Sequence, residues 1–256
     1  MHSNTWIEMA PGYTYTLVGN LEAESFLAAH FSGRPEIAAA YHSLTNMGSK
    51  SDFLRYLLLY IRGGIYSDVD TKPIVRPDAW LPPQRRRDVR LLIAVEHDEP
   101  IDGQPEDFVY PVQFCQWTIA AAPHHPVFAK MIDRMLMGLR DVADRDRALR
   151  GSNKALTDFD SIFAHGDGAF TDFDVINTTG PVAWTEVVFG HLQGVDGSIK
   201  RHQDIWNMHE PAYYGDIAVL PLHGFRAERL DDWGLWRRKY ALVRHFFKGS
   251  WKTSRA

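Results

Sequence analysis

Four charged side chains fall close together between Ser51 and Pro77: Asp52, Arg55, Asp68 and Asp70. The apolar run from Phe53 to Ile61 predicts a helix with Asp52 in its first turn, where the dipole favours an acid, and Arg55 three residues later on the same face. Gly63 and Gly64 predict its end, since glycine reaches the left-handed C-cap conformation without steric cost. From Ile65 the apolar period changes to two, so Asp68 and Asp70 are expected on one face of a strand, about 7 Å apart at their Cα atoms. Carboxylates that close repel unless a cation or a proton lies between them. A hard divalent ion held by few protein oxygens keeps coordination positions open for a substrate diphosphate. A bare Asp-x-Asp is more often a solvated strand end, so its surroundings decide the matter.

Those surroundings are specific. The string D-x-x-R-Y-x-x-L-Y-x-x-G-G-I-Y-x-D-x-D is present without a gap as Asp52, Arg55, Tyr56, Leu59, Tyr60, Gly63, Gly64, Ile65, Tyr66, Asp68 and Asp70. It resembles the signature of glycosyltransferase family 32, whose members include the initiation-specific α-1,6-mannosyltransferases of the fungal Golgi, with the clostridial glucosylating toxins as distant relatives. The likeness continues at Pro11-Gly12-Tyr13-x-Tyr15, at Thr178-Thr179-Gly180-Pro181 and at His245-Phe246-x-x-Gly249-Ser250-Trp251.

The resemblance implies a GT-A type α/β fold with a mostly parallel central sheet flanked by helices, and a single catalytic domain over residues 1–256. It also implies a retaining, metal-dependent transfer of a hexose, with mannose from GDP-mannose favoured, to a glycan or glycoprotein acceptor. Mn2+ or another divalent cation would be held by Asp68, Asp70 and His245, with Asp68 also reaching the nucleotide ribose. Asp52 and Arg55 would grip the donor sugar. Tyr56, Thr179, Gly180, Lys248, Ser250 and Trp251 complete the expected nucleotide-sugar contacts, the last three closing over the phosphates. The Golgi relatives carry an N-terminal membrane anchor and a first strand that helps hold the nucleotide. Neither precedes the Trp6 region, a pattern that fits either an N-terminally truncated domain or a divergent relative.

A chain of 256 residues can bury a full core, and 45% hydrophobic with 23% charged residues is ordinary for a globular domain. A net charge of -4 offers no general attraction to nucleic acid or an anionic membrane. Arg85-Arg86-Arg87 is a short basic run that reads as a solvated loop. One cysteine, Cys115, excludes an intrachain disulfide and a thiolate metal cluster, and its apolar neighbours mark it as a buried small hydrophobe. The N-terminus lacks a signal-peptide pattern, and Arg55 and Arg62 bracket an apolar stretch too short for a membrane span.

Along the chain, alternation predicts a strand over Tyr13 to Val18, and helical patterns cover Glu22 to His30 and Pro35 to Leu44. Asn46 to Lys50 reads as a polar joint. Strands are expected over Leu91 to Val95, Gln113 to Ala122 and Asp216 to Leu220. Glu96, His97 and Asp98 at a strand end receive at most a minor role. The stripe Val127, Met131, Met135 and Leu139 marks a core-facing helix over Pro126 to Leu139, and Asp141 to Asp158 reads as a charged helix followed by a surface connection. Thr179 is either an N-cap for a helix beginning near Val182 or a group facing a cleft.

Two other functions fit parts of the pattern. Ser67-Asp68-Val69-Asp70-Thr71 also matches the D-x-D-x-T of haloacid-dehalogenase phosphatases, with Gly166-Asp167 and Asp172 echoing their later acid motif. There Asp68 would be the phosphorylated nucleophile and Asp70 its acid, but that strand should open the fold, whereas here a helix precedes it. A non-catalytic glycan-binding module or partner subunit is the third reading.

Overall fold

The computed structural model describes residues 3–98, 109–150, 171–226 and 239–247. Three helices, α1 (Ser3–Met9), α2 (Asn20–His30) and α3 (Pro35–Ser43), lead into α4 (Met47–Arg62). The Asn46 side chain caps α4 by accepting from the Gly48 and Ser49 N–H groups, two of the donors a helix start leaves open. The polar joint expected over Asn46 to Lys50 is therefore largely the first turn of the helix. Asp52 accordingly lies in the second turn, and the dipole argument for its position does not hold.

Gly63 ends α4 at φ +63°, with its N–H bonded to the Leu59 carbonyl. A Cβ there would lie 2.6 Å from Pro123 N and 2.7 Å from Ala121 O, so conformation and space both require glycine. The chain then forms β1 (Gly64–Ser67), β2 (Thr71–Pro73), β3 (Leu91–His97), β4 (Gln113–Phe114) and β5 (Thr118–Ala121). After α5 (Pro126–Arg150), α6 (Asp172–Thr178) and α7 (Pro181–Val195) come β6 (Ala212–Tyr214), β7 (Ile217–Leu220) and β8 (Val243–His245).

The central sheet has the order β1-β5-β3-β7-β6, with β4 also paired to β3. The α/β class holds, but the mostly parallel sheet does not. Among the described residues only β3 and β7 pair in parallel, and every other pairing is antiparallel. Parallel neighbours need a long crossover, whereas β4 and β5 return along the strand the chain has just left, and β6 and β7 are joined by a tight turn at Gly215 (φ +58°). Because β5 is antiparallel to both its neighbours, β1, β3 and β7 still run the same way. Their carboxyl ends share one edge of the sheet, the edge where open α/β sheets place ligands.

Period-two alternation divides the core. Leu91, Ile93 and Val95 on β3, with Ile119, Ile217 and Val219, pack in one cluster with Tyr56 and Leu57 of α4, Phe128 and the methionine stripe of α5, and Trp184 of α7. Leu92, Ala94, Ala218 and Leu220 pack in a second with Cys115, Trp80, Trp117, Phe225 and Leu242. Tyr13 to Val18 is largely exposed and pairs with none of the described strands, so its alternation misleads. The helices expected over Pro126 to Leu139 and from Asp141 onward are one continuous helix to Arg150, and the sequence reading gives no helix at α6. Among the described residues no helix is long and apolar enough to cross a membrane.

Candidate active site

Helix α4 builds one half of the site. Arg55 Nη1 lies 2.9 Å from Asp52 Oδ1 one turn back, and Nη2 lies 3.2 Å from Asp68 Oδ1, just beyond β1. The Arg55 and Asp52 side chains are only 3% and 9% exposed. Tyr66 donates to Asp68 Oδ1 at 2.8 Å, and the guanidinium stands 4.8 Å from the centre of its ring. Burial pushes the Asp52 carboxyl up to about 6; the Arg55 charge pulls it down, while Asp68 adds to the rise. For Arg55, burial works to lower the value, but Tyr66, Asp52 and Asp68 hold it well above its ordinary range. The Arg55–Asp52 contact is close but poorly aligned, and Arg55 Nε has no acceptor among the described residues. A buried guanidinium with donors to spare suits a ligand rich in hydroxyl oxygens.

The other half comes from a turn. β1 stops at Ser67, so Asp68 and Asp70 do not share a strand face as expected. The Asp68 carbonyl accepts from the Thr71 N–H at 3.1 Å and from its hydroxyl at 2.6 Å, which closes a tight turn over Asp68 to Thr71. β2 then pairs with β8, placing Thr71 opposite His245. His245 Nε2 lies 3.0 Å from Asp70 Oδ1, and the Phe246 N–H reaches the Asp70 carbonyl at 3.0 Å.

One ligand atom each from Asp68, Asp70 and His245 falls within 4.8 Å of the others. Two carboxylates and an imidazole suit a divalent cation, and His245 Nδ1 is buried without a hydrogen-bond partner. The three side chains thus lie close enough to share one cation, although Asp68 and Asp70 come from a turn and not from a strand face.

Thr179 does not cap α7, because Gly180 occupies the N-cap position. Its hydroxyl lies 3.3 Å from Asp52 Oδ2 instead. Gly180 fits where a Cβ would come within 2.7 Å of Ile176 Cα, so packing alone accounts for it. Tyr56 is fully buried, stacked on Trp184, with its hydroxyl donating to Gln116 Oε1 at 2.6 Å, so it packs in the core and braces Gln116. Lys248, Ser250 and Trp251, and the Gly166-Asp167 pair, lie outside the described residues.

Sequence reasoning missed Gln116, which hydrogen-bonds Asp52 as well as Tyr56, and Trp117, whose ring lies against His245. Both occupy the interruption between β4 and β5, and only an irregular break in the apolar run Phe114 to Ala122 hinted at it. Glu96, given a minor role, is half-buried beside them and accepts from Trp117 Nε1 at 3.1 Å.

Residues 2–87 match the model of a family described as "Glycosyltransferase sugar-binding region containing DXD motif". This stretch of the chain carries the DXD glycosyltransferase sugar-binding region. Over 98% of its length the chain is 31% identical to the "Initiation-specific alpha-1,6-mannosyltransferase" of Schizosaccharomyces pombe, of which it covers 59%. Over 97% it is 25% identical to the "Putative glycosyltransferase HOC1" of Saccharomyces cerevisiae, of which it covers 60%. Thus the chain spans about three-fifths of the length of these two curated relatives. Among solved structures, a chain titled "PaToxG Glycosyltransferase" shares 17% identity over 77% of this chain and 65% of its own, with a TM-score of 0.44, a likeness too loose to build on. The DXD of the family description is Asp68-Val69-Asp70, and the matched region contains all of α4 and the turn.

Proposed function

We propose that this chain is a metal-dependent mannosyltransferase that moves mannose from GDP-mannose to a glycan acceptor through an α-1,6 linkage. One observation carries the reading: Asp68 belongs to both halves of the site, taking Arg55 on one side and standing with Asp70 and His245 on the other. Asp68, Asp70 and His245 would hold Mn2+, which when bound neutralises charge on the leaving diphosphate. Arg55 donates its spare N–H groups to donor-sugar hydroxyls. Asp52, when ionised, accepts from them and is steadied by Thr179 and Gln116. The name of the Schizosaccharomyces pombe relative points to mannose and to the linkage, and a Golgi-lumen location and a glycoprotein acceptor go with the same reading.

The test is a panel of nucleotide sugars with Mn2+ and an oligomannose acceptor, reading released nucleotide diphosphate and the product linkage. GDP-mannose turnover that stops with EDTA is the expected result. Turnover indifferent to EDTA, or turnover of none of the donors, contradicts the proposal.

A further inference from the structure

His245 is the one donor of the triad that comes from far along the chain, and its ring must be aimed as well as delivered. β8 delivers it by pairing with β2. The aim has a separate source. The Trp117 indole stacks on the imidazole at 4.4 Å between ring centres and 23° between planes, and Phe247 stands against the same imidazole at 4.0 Å. The indole is itself fixed, because its Nε1 donates to Glu96 Oε1, and Gln113 donates to the other Glu96 oxygen. A buried indole whose N–H has a single partner keeps one orientation. The main chain of the same residue reaches a second donor: the Asp68 N–H bonds to the Trp117 carbonyl at 2.9 Å.

We propose that Trp117 is a positioning residue for the metal centre, orienting the His245 ring with its indole while its carbonyl fixes the start of the Asp68 to Thr71 turn. This rests on the reading of Asp68, Asp70 and His245 as the metal centre. A tryptophan serving only as core filling would cost stability when replaced and leave metal affinity unchanged. Groups that orient metal ligands instead change affinity, typically by about 10- to 100-fold.

The experiment is Mn2+ binding at saturating GDP, followed by the EPR signal of free Mn2+ and corrected with a protein-free Mn2+–GDP mixture, with a thermal melt of each protein. The unmodified protein should bind Mn2+ and Asp70→Asn should not; if the two bind alike, the metal-centre reading itself fails. Given that difference, Trp117→Leu is expected to bind about tenfold more weakly or worse, and Trp117→Phe, which keeps a ring against the imidazole, within about threefold of the unmodified protein. A folded Trp117→Leu protein with unchanged Mn2+ affinity overturns the inference. If Trp117→Leu shows no cooperative melt, Glu96→Leu takes its place, with Glu96→Gln, which keeps an acceptor for Nε1, controlling for lost charge. Weaker binding by Glu96→Leu than by Glu96→Gln supports the inference, and equal binding overturns it.

Discussion

The two halves of the site are built by opposite means. Asp52 and Arg55 lie one turn apart on a single helix whose inner face is core, and burial holds them together. Asp70 and His245 are brought together across most of the chain by a turn and a three-residue ribbon. A pair on one helix needs only that helix to form; the ribbon needs distant chain to return in register. The proposed sugar-gripping half should therefore survive damage to the proposed metal half, while damage at the Asp52–Arg55 pair should spread, because Asp68 rests on Arg55.

The largest effect is expected from Arg55→Met, which leaves Asp52 without its cation and Asp68 without its anchor. Breaking a buried pair by removing one partner costs roughly 3–5 kcal/mol, so urea unfolding should register a loss of that order together with lost turnover. A stability within about 1 kcal/mol of the unmodified protein, the range of an exposed pair, would show that the pair is not the rigid half.

Asp70→Asn should act in the contrasting way. It removes a metal ligand from the turn but no buried cation, so Mn2+-dependent turnover is expected to fall by about 100-fold or more, equivalent to about 2.7 kcal/mol of barrier, with the melting temperature nearly unchanged. Equal turnover by the two proteins would remove Asp70 from the site.

Thr71→Val tests the turn itself. The Thr71 hydroxyl is buried, donates to the Asp68 carbonyl, lies 2.7 Å from the Ser67 hydroxyl and accepts from Trp6 Nε1. Losing it should cost about 1–3 kcal/mol and raise the Mn2+ concentration needed for half-maximal rate, leaving KM for the donor less affected. A shift in donor KM alone would mean that the turn does not serve the metal half.

The smallest effect is a pH dependence. The Asp52 carboxyl, raised to about 6 by burial, binds its proton more tightly folded than unfolded. Its stabilising contribution is complete below the ordinary carboxylate range and lost as pH rises through about 6. Relative to Asp52→Asn, the unmodified protein should therefore lose melting temperature as pH rises from about 4, near the ordinary carboxylate value, through about 6. Over the same interval turnover should rise as the carboxylate forms. A melting difference independent of pH would show that Asp52 ionises as freely as in the unfolded chain.

The same contrast explains what was legible in the sequence. α4, its glycine end and the methionine stripe of α5 were readable, because helical periodicity and C-cap chemistry are local. The Asp52–Arg55 pair was readable for the same reason, although Asn46 starts the helix a turn earlier than expected. Asp68 and Asp70 stand out in the sequence but were wrongly placed, since alternation gives no sign that Thr71 would bond back to the Asp68 carbonyl and end the strand. Tyr13 to Val18 alternates as a strand would, yet a strand needs a partner, and none of the described strands pairs with it. The antiparallel β5 beside β1, and Gln116 and Trp117 ahead of it, depend on non-local pairing that no periodicity encodes. Thr179 was left between cap and cleft; only the fold shows its hydroxyl beside Asp52.

The most direct test of the metal half is anomalous diffraction at the manganese edge from crystals of the protein grown with Mn2+ and GDP. A single anomalous peak in coordination contact with Asp70 and His245, beside Asp68, is the predicted result. Bound GDP with a peak elsewhere, or with none, would contradict the assignment of these three residues to a metal centre.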